Sequence, residues 1–396
     1  MSETTAAAVA EASAHSIDGL LATAAQATGL SDYGDRHFIK GLTALVNALP
    51  REAALNAIGE QMVYGGIVRL LSNRLRYVAD AKHHPSILEE RIEKPIIILG
   101  LPRTGTSKLQ RVMSADPGVQ RLEFWRALNP APFPGEKPGD PAARIEAGLL
   151  VENTLSTLFP GWMARHPMEA REPDEELHIM DMSFECVIAW LFSRVPSYYA
   201  YIQRCDPRPT YRLLHAMLQY LQWQDGGGRG RPWIMKSPVH IGDLATLIET
   251  FPDAVIVHCH RDPKKVIPSF ASLIEEGRRM GSDRVDPVEI GRDMFMHWAD
   301  QIDRNLSARE KLPSDRIIDV RFEDIRSDVI GVIRRIYESA GRTVTPDAIS
   351  GFESYDARRP EHHWGRYEYT AEHYGLNLDE IDERFTEYRR RFIDRA

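Results

Sequence analysis

The stretch Lys94-Pro-Ile-Ile-Ile-Leu-Gly-Leu-Pro-Arg-Thr-Gly-Thr-Ser-Lys-Leu109 decides the fold of this chain. Pro95 to Leu99 is an apolar run, the pattern of a strand buried on both faces of a parallel sheet. It breaks into a Gly/Pro/Thr loop, and helical periodicity follows from Lys108. Strand, Gly-rich loop and helix in that order form a phosphate cradle, because successive backbone N–H groups and the positive end of the helix point at one anion. Set against the pattern G-x-x-x-x-G-K-[ST], the match runs from Gly100 through Gly105 to Ser107 and fails once, where Thr106 holds the Lys position. The loop carries its cation as Arg103 instead. Gly105 permits a positive φ and close approach of backbone to ligand. The hydroxyls of Thr104, Thr106 and Ser107 can donate to oxyanion oxygens, and Arg103 offers a charge-assisted pair of bonds. A phosphate site without that Lys points to a donor other than ordinary ATP.

Moving outward, Trp233-Ile-Met-Lys236 and Ala254-Val-Ile-Val-His-Cys-His260 are two further short apolar runs. Asp243 to Phe251 reads as a helix between them and Pro252-Asp253 as a turn, which makes a βαβ unit with a parallel pair. Arg316 to Phe322 is a fourth strand candidate. The expected fold is α/β, a central parallel sheet flanked by helices. Residues 1 to about 90 form a helical N-terminal segment or cap, Ala-rich at first and amphipathic from about Arg36 to Ala81, with Ile67, Leu70, Leu71 and Leu75 on its packed face. Residues 91–396 carry the sheet. Within them, about 140–225 is a helical insertion on the acceptor side, and Asp225-Gly-Gly-Gly-Arg-Gly-Arg231 is a flexible connector. The aromatics Trp162, Trp190, Phe192, Tyr198, Tyr199 and Tyr201, with Met163, suggest an apolar acceptor pocket there.

Bulk composition narrows the function. A net charge of -8 over 396 residues argues against a broad nucleic-acid surface, so any affinity for a polyanion must be local. Cys186, Cys205 and Cys259 show no metal spacing, and an odd, sparse set suits a reducing compartment. The first residues lack a basic region followed by an apolar run, so no secretory leader is expected. No apolar run approaches the roughly 20 residues that span a bilayer. The expected location is cytoplasmic. The acidic run Glu169-Ala-Arg-Glu-Pro-Asp-Glu-Glu-Leu-His178, with His166 nearby, lacks a two-histidine helical pair, so no metal is expected. It reads as a helix N-terminus whose acids suit the dipole, with one carboxylate available to the acceptor pocket.

A second constellation follows the third apolar run. In His258-Cys-His-Arg-Asp-Pro-Lys-Lys-Val-Ile-Pro-Ser-Phe270, Arg261 sits at the C-terminal end of the strand, where open α/β sheets place ligand contacts. Ser269 lies eight residues on, in the next helix. A second phosphate between Arg261 and Ser269 would pair with the first loop to hold a nucleotide phosphorylated at both ends.

Here the chain resembles the sulfotransferase family. The motif P-[KR]-[ST]-G-T-[ST]-x-L stands at Pro102 to Leu109, and R-[ND]-P-x-x-V-x-x-S stands at Arg261 to Ser269. Trp233 to His240, Asp319-Val-Arg-Phe-Glu-Asp-Ile325 and Trp364-Gly-Arg-Tyr-Glu-Tyr369 are similar to blocks of the bacterial branch. The resemblance implies a P-loop-like fold and 3′-phosphoadenosine 5′-phosphosulfate (PAPS) as cosubstrate, with the first motif on the 5′-phosphosulfate and the second on the 3′-phosphate. It implies that Lys236 assists departure of the bisphosphate, that His240 or Glu123 removes the acceptor proton, and that Arg366 meets the 3′-phosphate while Trp364 or Tyr367 contacts the purine. The partner is then a small hydroxyl acceptor, apolar or phenolic, with oligomeric state open. A P-loop kinase or NTPase is the rival, but it requires Lys at position 106 and a metal-binding Asp at a strand end. A catalytically inactive nucleotide-binding protein on the same fold is the other.

Overall fold

The computed structural model describes residues 15–313, 315–359, 365 and 367–394. Five parallel strands, β1 (Ile96–Gly100), β2 (Gln120–Arg121), β3 (Trp233–Lys236), β4 (Val255–His260) and β5 (Ile317–Arg321), form one sheet in the order β2-β3-β1-β4-β5. Every residue of β1 is buried because the strand is central and covered on both faces. Its side chains alternate. Ile97 and Leu99 join Trp233, Met235 and Ile256 on one face, while Ile96 and Ile98 join Ile234, Val257 and Val320 on the other. The four strands expected from apolar runs are all present. The expected βαβ unit is modified, since β1 lies between β3 and β4, and the helix Leu244–Thr250 belongs to a crossover that skips it.

The edge strand β2 has no apolar signature. It is two residues long and held by polar bonds, with the Gln120 side chain donating to the Gln222 carboxamide oxygen at 2.9 Å and to the Arg231 carbonyl at 2.7 Å.

One face of the sheet packs against the helices Thr106–Met113, Val329–Ser339 and Pro346–Arg358 through Leu109, Val112, Ile333, Ile336 and Phe352. The other face carries a larger core that runs without interruption to the N-terminal helices Ile17–Thr28, Phe38–Ala48 and Ala57–His83. Ile67, Leu70, Leu71 and Leu75 are all buried there. The stretch from Arg36 to Ala81 is broken at Leu49–Ala53 and Ala54 before Asn56 caps the long helix through its bond from the Gly59 amide at 2.9 Å. The run His258-Cys-His260 is an internal anchor. His260 stacks on Phe392 at 4.2 Å and bonds Asp319 at 2.8 Å, while Arg309 reaches both Asp319 and His258. Burial holds both imidazoles below their ordinary pKa. No described helix is long and apolar enough to cross a membrane.

The helix Ala57–His83 crosses Pro263–Gly281 at two glycines. A Cβ on Gly59 would lie 2.0 Å from the Gly281 carbonyl oxygen. Alanine gains about 0.8–1.0 kcal/mol of helix propensity over glycine, but overpacking against backbone costs about 1–3 kcal/mol. The Cβ meets backbone rather than a flexible side chain, so the cost falls at the upper end, and Gly59→Ala should lower the urea midpoint by an amount equivalent to about 2 kcal/mol. An unchanged or raised midpoint would show that the two helices can separate freely.

Candidate active site

The loop after β1 turns because two of its residues adopt left-handed backbone: Arg103 at φ 66° and Gly105 at φ 84°. For glycine this conformation is free of strain, whereas for arginine it is uncommon and is retained only where the surroundings enforce it. Gly105 leads into the helix Thr106–Met113, and a side chain on it would press on Phe322 and Ile325 at 3.2–3.3 Å. The first-turn amides have no partner within a helix, and Thr106 and Ser107 of that turn line a cavity of about 570 Å³. Thr104 does not reach this cavity. It is buried, and its hydroxyl donates to the Leu101 carbonyl at 2.7 Å, so it shapes the loop from inside.

Arg103 lines the cavity. It donates to the Arg165 carbonyl at 2.7 Å and to the Tyr367 hydroxyl. Arg261, at the end of β4, donates to the Arg103 carbonyl at 2.7 Å and lies 4.0 Å over the Phe322 ring. Burial lowers the Arg261 pKa, and the Arg103 charge pushes it the same way. An anion between them would relieve that repulsion. Ser269 also lines the cavity, so the two sequence motifs do meet. The wall holds Arg103, Lys108, Arg111, Arg165, Lys236, Arg261, Arg326 and Arg359 against the carboxylates Glu169, Asp174 and Asp356, an excess of five positive charges with histidine neutral.

Lys236 ends β3 and lines the same cavity. Its Nζ pairs with Glu175 Oε1 at 2.6 Å, and its backbone amide donates to Glu176 Oε2 at 2.9 Å. His240 is fully buried and absent from the cavity wall. Its Nδ1 bonds the Tyr211 hydroxyl at 2.8 Å and its Nε2 bonds Glu176 Oε1 at 2.7 Å. It holds the carboxylate that holds the end of β3. Glu123 pairs with Arg121 at 3.2 Å and does not line the cavity either. Arg366 and Trp364 lie outside the described residues, while Gly365, Tyr367 and Tyr369 from the same block do border the cavity. Trp162, Trp190 and Tyr198 are buried in the core, with Trp190 stacked on Tyr199 at 3.9 Å. None of the seven residues expected to form an apolar pocket lines this cavity.

Residues 95–346 match the model of the sulfotransferase family. The chain belongs to that family. Two curated relatives, the omega-hydroxy-beta-dihydromenaquinone-9 sulfotransferases Stf3 of Mycobacterium bovis and Mycobacterium tuberculosis, are each 24% identical over 322 residues, 74% of either chain. Two crystal structures share the fold. Sulfotransferase STF9 from Mycobacterium avium superposes with a TM-score of 0.86 at 27% identity, covering 96% of this chain and 98% of that one. Sulfotransferase STF1 from Mycobacterium tuberculosis H37Rv gives 0.78 at 28%, covering 94% and 98%.

In this sulfotransferase the acidic run differs most from its reading in the sequence. The carboxylates do not crowd one helix start; most are distributed to cations around the cavity. Glu169 takes Arg111 at 2.9 Å and Arg359 at 2.6 Å, Glu172 takes Arg359 at 3.0 Å, and Glu175 takes Lys236. The only hint in the sequence was an excess of acids with too few helical positions to use them. His166, noted in the sequence only as lying near this acidic run, lines the cavity.

Glu175→Gln leaves the buried Lys236 ammonium without its counter-charge. The donor-free enzyme should lose about 3 kcal/mol, the low end for breaking a buried pair because Lys236 borders the cavity. Adenosine 3′,5′-bisphosphate should restore more of the melting temperature in this variant than in the wild type. Equal stability of the two proteins without ligand would contradict the pairing.

Proposed function

We propose that this sulfotransferase takes PAPS as donor and transfers its sulfuryl group in line to the hydroxyl of a small, apolar acceptor. The observation that carries the donor assignment is the excess of five positive charges around one cavity in a chain of net charge -8. A double-ended nucleotide phosphate supplies the matching negative charge. The Gly105–Ser107 amides and Arg103 would hold the phosphosulfate end, and Arg261 with Ser269 the 3′-phosphate. As the S–O bond breaks, charge builds on the bridging oxygen, and the Lys236 ammonium at the strand end stabilises it. For this to happen Lys236 exchanges Glu175 for the leaving oxygen. The acceptor class rests on the curated relatives, whose name specifies a hydroxylated dihydromenaquinone.

Lys236→Ala should lower kcat by about 10²–10³, the cost of losing one preorganised donor, and should weaken adenosine 3′,5′-bisphosphate by roughly 10-fold or more, the loss of a charged hydrogen bond to its 5′-phosphate. Mass-spectrometric assay of PAPS turnover over a panel of alcohols and phenols checks this, and unchanged turnover would remove Lys236 from the mechanism. Arg261→Ala should weaken binding of adenosine 3′,5′-bisphosphate by roughly 10- to 100-fold, the loss of a charged hydrogen bond, and weaken adenosine 5′-phosphate distinctly less, through the lost bond to the Arg103 carbonyl alone. Calorimetry showing equal losses for both nucleotides would place the 3′-phosphate elsewhere.

A further inference from the structure

The acceptor proton must go somewhere, and the two residues suggested by sequence are unavailable: His240 has both ring nitrogens bonded inside the core, and Glu123 is paired away from the cavity. The carboxylates at the cavity are committed as well. Glu169 is held by Arg111 and Arg359, Asp356 by Lys108 at 2.9 Å, and Glu175, just outside the wall, by Lys236. Asp174 is buried, with its carboxyl pushed up by burial but carried well below the ordinary range by His178, His166 and Lys236 together. His166 is different. Its backbone amide donates to the Trp162 carbonyl at 2.8 Å and its ring packs edge-on against Trp162 at 5.6 Å, which fixes its direction. Its ring nitrogens have no hydrogen-bond partner among the described residues, and it lines the cavity together with Lys236 and Arg103.

We propose that His166 is the general base for the acceptor hydroxyl, and that binding of the donor is what makes it basic enough to serve. This rests on the sulfotransferase reading above. The groups that face His166 are Asp174, Lys236, Arg103 and Arg111. Burial chiefly, with the three cations adding to it and Asp174 opposing, pushes the imidazole down to about 3 when no donor is present. It is then neutral and a poor proton acceptor. A polyanionic donor lying on Arg103 and Lys236 offsets the part of that shift the two cations cause, although burial still acts, so the imidazole is more basic in the complex than in the free enzyme. The transfer balances. The acceptor oxygen forms its bond to sulfur while the bond from sulfur to the bridging phosphate oxygen breaks. The hydroxyl proton passes to a His166 ring nitrogen and then to water. The electron pair stays on the bisphosphate beside Lys236.

The test pairs His166→Gln with two acceptors and one binding measurement. With an arylmethyl alcohol such as 2-naphthalenemethanol, whose hydroxyl stays un-ionised, kcat should fall by about 100-fold or more. With p-nitrophenol in mildly alkaline buffer the acceptor is already ionised, and kcat should stay within about fivefold of wild type. The melting-temperature rise given by adenosine 3′,5′-bisphosphate should be unchanged, and His166→Asn should repeat the pattern. In the wild type, NMR of the His166 ring should show its titration midpoint moving upward by at least about one pH unit on adding the bisphosphate. Equal losses with both acceptors, no loss with either, or a midpoint that stays or falls would overturn the assignment of His166 alone. A wild-type protein that turns over no PAPS and gains no thermal stability from the bisphosphate would instead refute the donor reading, and the base with it.

Discussion

Eight arginine and lysine side chains around one cavity repel one another, and the protein must answer that repulsion before any ligand arrives. The segment Glu169–Glu176 provides the answer. It runs past the helix Thr106–Met113 and the end of β3, and gives one carboxylate to Arg111 and Arg359, another to Arg359, and another to Lys236. These pairs hold the cations in place without fully neutralising them. The remaining excess is what selects a polyanion, and its concentration at one site explains how an acidic chain can bind one.

The sheet order brings those charges together. Because β1 sits between β3 and β4, the loop after β1, Lys236 at the end of β3 and Arg261 at the end of β4 open onto one edge of the sheet. Ligands in open α/β folds bind beyond the carboxyl ends of central strands for this reason. The packing is close enough to exclude a side chain on Gly100, whose Cβ would lie 2.4 Å from the Cys259 carbonyl oxygen, so the loop and Arg261's strand are held in fixed relation. Arg261 then reads the turn directly through its bond to the Arg103 carbonyl. The phosphate cradle and the second anion site are therefore mechanically joined rather than merely adjacent.

The parts legible in the sequence were those with a local signal. Ile96 to Leu99, Trp233 to Lys236 and Val255 to His260 are apolar runs that only a buried strand uses, and the Gly100–Ser107 loop states its geometry in its residue types. Arg261 and Ser269 were placed by their position after a strand, and the cavity contains both. What escaped was set by pairings far apart in sequence. Strand β2 exists because Gln120 bonds Gln222 and Arg231, and no pattern in residues 118 to 122 announces it. His240 carried the right chemistry at a plausible spacing, but Tyr211 and Glu176 consume both its nitrogens, a fact visible only in three dimensions. His166 had no flanking motif, and its availability comes from what does not bond to it. The aromatics of the middle region looked like a pocket and are packing, since Trp190 and Tyr199 spend their faces on each other.

The most direct test of the account is a crystal structure with adenosine 3′,5′-bisphosphate bound. The account requires the 5′-phosphate on the Gly105–Ser107 amides beside Arg103, the 3′-phosphate between Arg261 and Ser269, and the Lys236 ammonium moved from Glu175 toward the 5′-phosphate. A nucleotide bound in the reverse direction, or elsewhere with Lys236 still on Glu175, would contradict it.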